Sequence, residues 1–327
     1  MAHLMVILQG VCFLLGGKGS FYMATLELMA EESAAKAALK TPDQLLKGIQ
    51  SKGIQSDRTG DFTAIVLAGS RRAEDPVASV FGQQYKALVP ICGQPMVSRV
   101  VDALVASKSV RKIVIVFDCS ESLYSSCPEF QVAADKIDIS VVSCGTSICD
   151  SLCKVIEASG AEWPYLVTTA DHALLTPEMV DEFCGNAFGQ SDMAVGLVEK
   201  KYLDEKHPNS KRTYLPFRET KLSGANLFAF MNAEAMKAIE FWKSIERERK
   251  KPWRLFAAFG WANLFGLLLK RFTVDQAFER ASRRLGVSAR AIRLPFAEAA
   301  IDVDSPNDFI QVSEILESRA QIIAIPA

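Results

Sequence analysis

The 327-residue chain has no surplus of either charge: 37 basic residues stand against 38 acidic ones, a net charge of −1. A dedicated nucleic-acid binder would carry a basic excess, so the balance argues against nucleic acid as a partner. A small anionic substrate stays open, because it needs only local cations. Zinc chemistry finds no support either. The eight cysteines, Cys12, Cys92, Cys119, Cys127, Cys144, Cys149, Cys153 and Cys184, form no CxxC pair. Cys149 and Cys153 sit one helical turn apart with no histidine near, which reads as reduced residues of a cytoplasmic protein. Long apolar runs are missing too. Leu4 to Gly17 falls short of the roughly 20 residues of a spanning helix and lacks a basic flank for a signal peptide. Met23 opens an alternative start, MATLELMAEES. Leu255 to Leu269 (LFAAFGWANLFGLLL) is again too short; it predicts core packing, with contact between segment 253–269 and an inner membrane face as the alternative.

What is present is apolar periodicity. Hydrophobic residues make up 49% of the chain, enough for a large buried core. Residues 1–60 predict an N-terminal extension, partly helical or disordered, ending in a polar linker. From residue 61 to 327 the pattern changes. Phe62 to Ala68 (FTAIVLA) is a continuous apolar run, as in a strand buried on both faces. Similar runs recur at Lys112 to Phe117, Ile137 to Val142, Tyr165 to Thr169 and Met193 to Val198. Helical patterns alternate with them at Met96 to Ala106, Ile148 to Ala158 and Pro177 to Cys184. That alternation predicts an α/β fold: a mostly parallel sheet with helices on both faces. The last third predicts helices over Glu234 to Lys250, Thr273 to Leu285 and Pro306 to Arg319, with short strands at Ala289 to Leu294 and Ala299 to Val303.

Three segments carry chemistry. The first strand ends in LAGSRR, where a glycine lets backbone N–H groups approach a phosphate at the carboxyl end of a parallel strand. Leu67, Ala68, Gly69 and Ser70 form that turn; Arg71 and Arg72 add charge, and Lys86 is placed to reach the same phosphates. Next, YLVTTADHALLTPEMV delivers Asp171 at the end of an apolar strand, with Thr176 already serving as cap for the following helix. The last is AIDVDSPNDF, with Asp302 and Asp304 just before a helix start.

LAG with arginine, then lysine and glycine in KALVPICGQPM, resembles the signature of the MobA-like nucleotidyltransferases. The usual pattern there runs LAGG-x-G-x-R, a short gap, PK-x-L and G-x-P-M. This chain departs from it in lacking the second and third glycines and in a longer arginine-to-lysine insert. The resemblance implies a three-layer, Rossmann-like fold of the GT-A type with a helix-rich C-terminal part, spanning residues 61–327. It also implies roles. Lys86 and Arg71 or Arg72 bind the triphosphate, and Asp171 and Asp304 hold Mg²⁺, with Asp302 the weaker candidate. Gly145, Thr146, Ser147 and Ser151 contact base or ribose. Arg212, Thr213, Lys221, Gly224 and Asn226 face the acceptor. His172 reads as structural.

The implied activity is Mg²⁺-dependent transfer of a nucleoside monophosphate from an NTP to a phosphorylated small molecule, releasing pyrophosphate. An acceptor phosphate is already anionic near pH 7, so three histidines in the whole chain are no obstacle. Two rivals remain: a glycosyltransferase using a preformed nucleotide sugar, and a non-catalytic nucleotide-binding module.

Overall fold

A computed structural model describes residues 61–70, 75–133, 137–160, 162–247 and 271–324. The expectations for residues 1–60, for Arg71 and Arg72, and for segment 253–269 lie outside the described residues. Seven strands build the main sheet: β1 (Phe62–Leu67), β2 (Val110–Val116), β3 (Asp138–Val142), β4 (Tyr165–Thr169), β5 (Met193–Glu199), β6 (Lys221–Phe230) and β7 (Ala289–Leu294). They lie in the order β7-β5-β6-β4-β1-β2-β3, and a two-residue strand, Leu215–Pro216, pairs with β6 as the eighth. β6 runs antiparallel between β4 and β5, while the remaining pairings of the seven are parallel.

The helices are α1 (Pro76–Val80), α2 (Met96–Ala106), α3 (Ser120–Ser126), α4 (Glu129–Ala133), α5 (Ile148–Ala158), α6 (Pro177–Ala187), α7 (Lys200–Lys206), α8 (Met236–Arg247), α9 (Val274–Leu285) and α10 (Pro306–Ala324). Two apolar cores result, one on each face of the sheet. Alternate residues of β1 serve them: Ala64 and Val66 point to one, Ile65 to the other. The first core is covered by α2, α6 and α10 among others, the second by α5, α8 and α9. On α5, Cys149, Leu152, Val155 and Ile156 fall on one stripe and are buried. Fully burying a side chain such as Ile65 stabilises the fold by roughly 2 kcal/mol.

Register brings the strand ends level. Leu67 lies opposite both Val116 and Thr169, and Val116 opposite Val142. The turns that follow β1, β2, β3 and β4 therefore share one rim, where open parallel sheets bind ligands. Helix starts match their sequence signals: Thr176 caps α6 ahead of Pro177, and Thr273 and Gln276 form a reciprocal capping box on α9. One expectation is corrected. Ala299 to Val303 is no strand: Ala297–Ala300 forms a 3₁₀ turn, and the extended backbone beyond it joins no ladder. Its Val303 N–H instead donates to the Asp171 carbonyl at 3.1 Å. No helix among the described residues is long and apolar enough to cross a membrane.

Candidate active site

The rim is assembled from the turns after β1, β2, β3 and β4, the turn at Lys86 and the segment before α10. After β1, Gly69 runs so close to β3's extension that a Cβ there would lie 2.2 Å from the Cys144 sulfur, so a larger residue would require the Cys144 side chain to move. The next N–H, from Ser70, donates to Asp118 Oδ2 at 2.8 Å. Asp118 stands two positions past the end of β2 and was not singled out by any motif; its only signal is a carboxylate at the carboxyl end of a parallel strand. Burial, reinforced by Asp118, pushes the Cys144 thiol up to about 12, so it stays protonated.

Lys86 opens a 3₁₀ turn, Lys86–Leu88, and its ammonium reaches across the rim. Nζ lies 2.7 Å from Asp171 Oδ2 and 2.9 Å from Asp304 Oδ1. Burial alone would favour loss of its proton, but the two carboxylates outweigh burial and raise its pKa above the usual lysine value. Asp171 and Asp304, which lie 133 positions apart in the numbering, thus converge on one cation. The Val303 N–H to Asp171 carbonyl bond ties their two segments together at the main chain.

Behind them sits Asp302. Arg212 donates to its Oδ1 at 2.8 Å and its carbonyl at 3.1 Å, and pairs with Asp308 through its other terminal nitrogen. Asn226 Nδ2 donates to the second Asp302 oxygen at 2.8 Å. Burial, then the charges of Asp304 and Asp171, push Asp302 up to about 7 despite these partners. Arg212 and Asn226, expected to face the acceptor, are engaged with Asp302 in this structure. Thr213 follows Arg212 half-buried, Lys221 is exposed at the start of β6, and Gly224 sits inside the ladder opposite Leu197. His172 is fully buried, and burial draws its pKa down to about 4, leaving the ring neutral near pH 7.

The turn after β3 is closed by its own hydrogen bonds. Gly145 N–H donates to Ser151 Oγ at 2.8 Å, Thr146 N–H to Asp150 Oδ2 at 2.9 Å, and Ser147 accepts from Asp150 N–H at 3.1 Å. Ser151 Oγ donates in turn to the Ser147 carbonyl. A Cβ on Gly145 would fall 2.6 Å from Asp150 Oδ2 and 2.7 Å from Ser151 N, so this glycine is sterically required.

A divalent cation fits this donor set. Asp171, Asp302, Asp304 and Asp308 are carboxylates, while Lys86 and Arg212 are the cations paired with them. The excess of negative charge suits one hard divalent ion, and the Lys86 ammonium marks the gap between the two carboxylates. Among the described residues no group of three or more His, Cys, Asp or Glu is arranged to hold a metal. Mg²⁺ does not need such a cage, because it is commonly held by one or two carboxylates together with substrate phosphates.

Residues 64–243 match the family described as the MobA-like NTP transferase domain. A hypothetical transferase from Thermus thermophilus is 31% identical, with a TM-score of 0.63 over 76% of this chain and 99% of that one. The 4-diphosphocytidyl-2C-methyl-D-erythritol synthase of Anaerococcus prevotii is 11% identical, with a TM-score of 0.50 over 79% and 99% of the two chains. A CMP:2-keto-3-deoxy-manno-octonic acid synthetase complexed with CTP is 12% identical, with a TM-score of 0.50 over 80% and 100%. At such identities these two show a shared fold. No curated protein matches the chain. The family match and the Thermus relative, on a rim where Gly69, Lys86 and Asp171 stand in motif order, establish that this chain belongs to the MobA-like NTP transferase family and is a nucleotidyltransferase.

Proposed function

We propose that the protein transfers a nucleoside monophosphate from an NTP to a phosphorylated small molecule, with Mg²⁺ and with release of pyrophosphate. The observation that carries this is the convergence of Asp171 and Asp304 on the Lys86 ammonium, at 2.7 and 2.9 Å. An oxygen of the acceptor phosphate attacks the α-phosphorus in line. The new P–O bond forms as the bond from the α-phosphorus to the bridging oxygen breaks, and its electron pair leaves with pyrophosphate. Held by Asp171 and Asp304, Mg²⁺ would neutralise charge on the α-phosphate. Lys86 leaves the gap between the carboxylates and follows the negative charge onto the departing pyrophosphate, together with Arg71 or Arg72. The Gly145–Ser151 turn receives base and ribose, next to the phosphate turn Leu67–Ser70. Thr213, Lys221 and Gly224 belong to the acceptor side. Most of the catalytic contribution is alignment and charge compensation, since the acceptor oxygen needs little help from a base.

Asp302 weighs against the glycosyltransferase alternative. A D-x-D metal motif would use both Asp302 and Asp304, whereas Asp302 is engaged by Arg212 and Asn226. The deciding experiment is a pyrophosphate-release screen of four NTPs against a panel of phosphorylated metabolites. Release that requires one NTP, one acceptor and Mg²⁺ supports the proposal. Product formed from a nucleotide sugar, with none from any NTP, would overturn it.

A further inference from the structure

Resting on the metal-dependent transfer proposed above, we infer that Arg212 and Asn226 are positioning residues: they clamp Asp302, and through Asp302 they set where the Asp304 carboxylate stands relative to Asp171. The segment Asp302–Asp304 lies at the rim outside the sheet, without a ladder of its own. Besides the Lys86 ammonium on Asp304, three attachments hold it. The main chain of Val303 bonds the Asp171 carbonyl at 3.1 Å. Arg212 grips both the carboxylate and the carbonyl of Asp302, at 2.8 and 3.1 Å, and spans to Asp308 at the start of α10. Asn226 takes the remaining Asp302 oxygen at 2.8 Å. Asp304 itself is largely exposed, with its side chain 66% accessible, so the clamp two residues earlier restrains the segment that carries it.

The fold is bent to make this clamp. The β5–β6 register shifts between Val195 and Leu197, and on the facing strand Asn226 adopts φ +49°. A positive φ is uncommon for a residue with a side chain, and a bulge re-aims the side chain it carries. Gly196 permits the close approach: a Cβ there would meet Leu227 and Ala225 side chains at 3.2 and 3.3 Å. Arg212 is only 7% exposed and has its guanidinium bonds directed inward, to Asp302, Asp308 and Ser210. Both residues therefore act on the reaction through Asp302 instead of through the acceptor.

The test uses the full chain and two mild variants. Arg212→Lys keeps the charge but cannot bond Asp302 and Asp308 with one planar fork. Asn226→Gly keeps the positive φ without strain and removes the side chain with its amide; it keeps the proposal open to refutation should Arg212→Lys fold poorly. Protein-bound Mn²⁺ is measured by water-proton relaxation with each of the four NTPs present, and kcat and KM are taken for the pair found active in the screen. Both variants are expected to bind Mn²⁺ about tenfold more weakly, the low end of the loss seen when outer-shell support of a metal site is removed, with kcat lowered and the acceptor KM unchanged. Wild-type Mn²⁺ affinity in both variants, with a raised acceptor KM, would overturn the proposal and return Arg212 and Asn226 to the acceptor site. Absence of protein-bound Mn²⁺ in the wild type would instead remove the metal-dependent reaction, and this proposal with it.

Discussion

The hydrogen bonds that close the turn from Gly145 to Ser151 span six residues or fewer, whereas Lys86 joins Asp171 and Asp304 across 85 and 218 positions. The first region is finished by its own chemistry before any ligand arrives. Its closing hydrogen bonds are local, and Asp150 is held below the usual carboxylate range by the Thr146 N–H and by the more distant Lys243. The second is a meeting of like charges made tolerable by one ammonium, which in the proposed reaction gives way to the metal and the triphosphate. In the proposed reaction the first region is the preformed end, for the nucleoside, and the second the charge-compensated end, for the phosphates. The two ends should therefore fail in different ways when they are altered.

The sharpest break comes at the second region. Asp171→Asn removes the negative charge while keeping the shape, and turnover is expected to fall by about 10³-fold, on the order of 4 kcal/mol of transition-state stabilisation. Steady-state kinetics with circular dichroism as a folding check measures it; turnover within tenfold of wild type would contradict the assignment. Lys86→Gln separates two roles. Turnover should drop about a hundredfold, yet Mn²⁺ without nucleotide should bind more tightly than to the wild type, because no ammonium fills the gap between the carboxylates. Weaker Mn²⁺ binding in that variant would show that Lys86 does not compete for the gap.

Acid should also act on the charge-built side. His172, beside Asp171, has its folded pKa lowered from 6.5 to about 4 by burial. Between those values the unfolded chain takes up a proton that the folded one refuses, so stability is lost as pH falls through this window. The full effect is on the order of 3 kcal/mol, read as a falling urea midpoint, and His172→Gln should flatten the dependence. The smallest effect belongs to the preformed end. Gly145→Ala forces a methyl against Asp150 and Ser151, and the KM for the NTP should rise about tenfold with kcat little changed. A loss of kcat instead would mean that the turn also serves the chemical step.

The same contrast explains what was legible beforehand. Strands such as Phe62–Leu67 and helices such as Val274–Leu285 announce themselves through apolar runs and caps within a few residues. Asp171 stood out because the strand that ends before it resembles the family segment that supplies a carboxylate, a resemblance that the strand before Asp118 lacks. Asp118 did not, since nothing local reveals that its partner is the Ser70 N–H, 48 positions away. Arg212 and Asn226 were legible as polar residues near the acceptor-side strand, but their common partner, Asp302, lies 90 and 76 residues further on. Ala299 to Val303 has the composition of a strand, and only the tertiary position of Asp171 determines that its amide bonds a turn and not a ladder. Helix α7 went unmarked as well: its first turn has no acidic residue, and Glu199 makes no side-chain cap.

The bond from Val303 to Asp171 has a consequence for how such a protein can change over generations. Because both partners belong to the peptide backbone, any amino acid except proline at position 303 preserves the donor. Other side chains of the rim can then be exchanged while this tie between the segments that carry Asp171 and Asp304 is kept, so that the proposed reaction can stay fixed while the molecule it acts on changes.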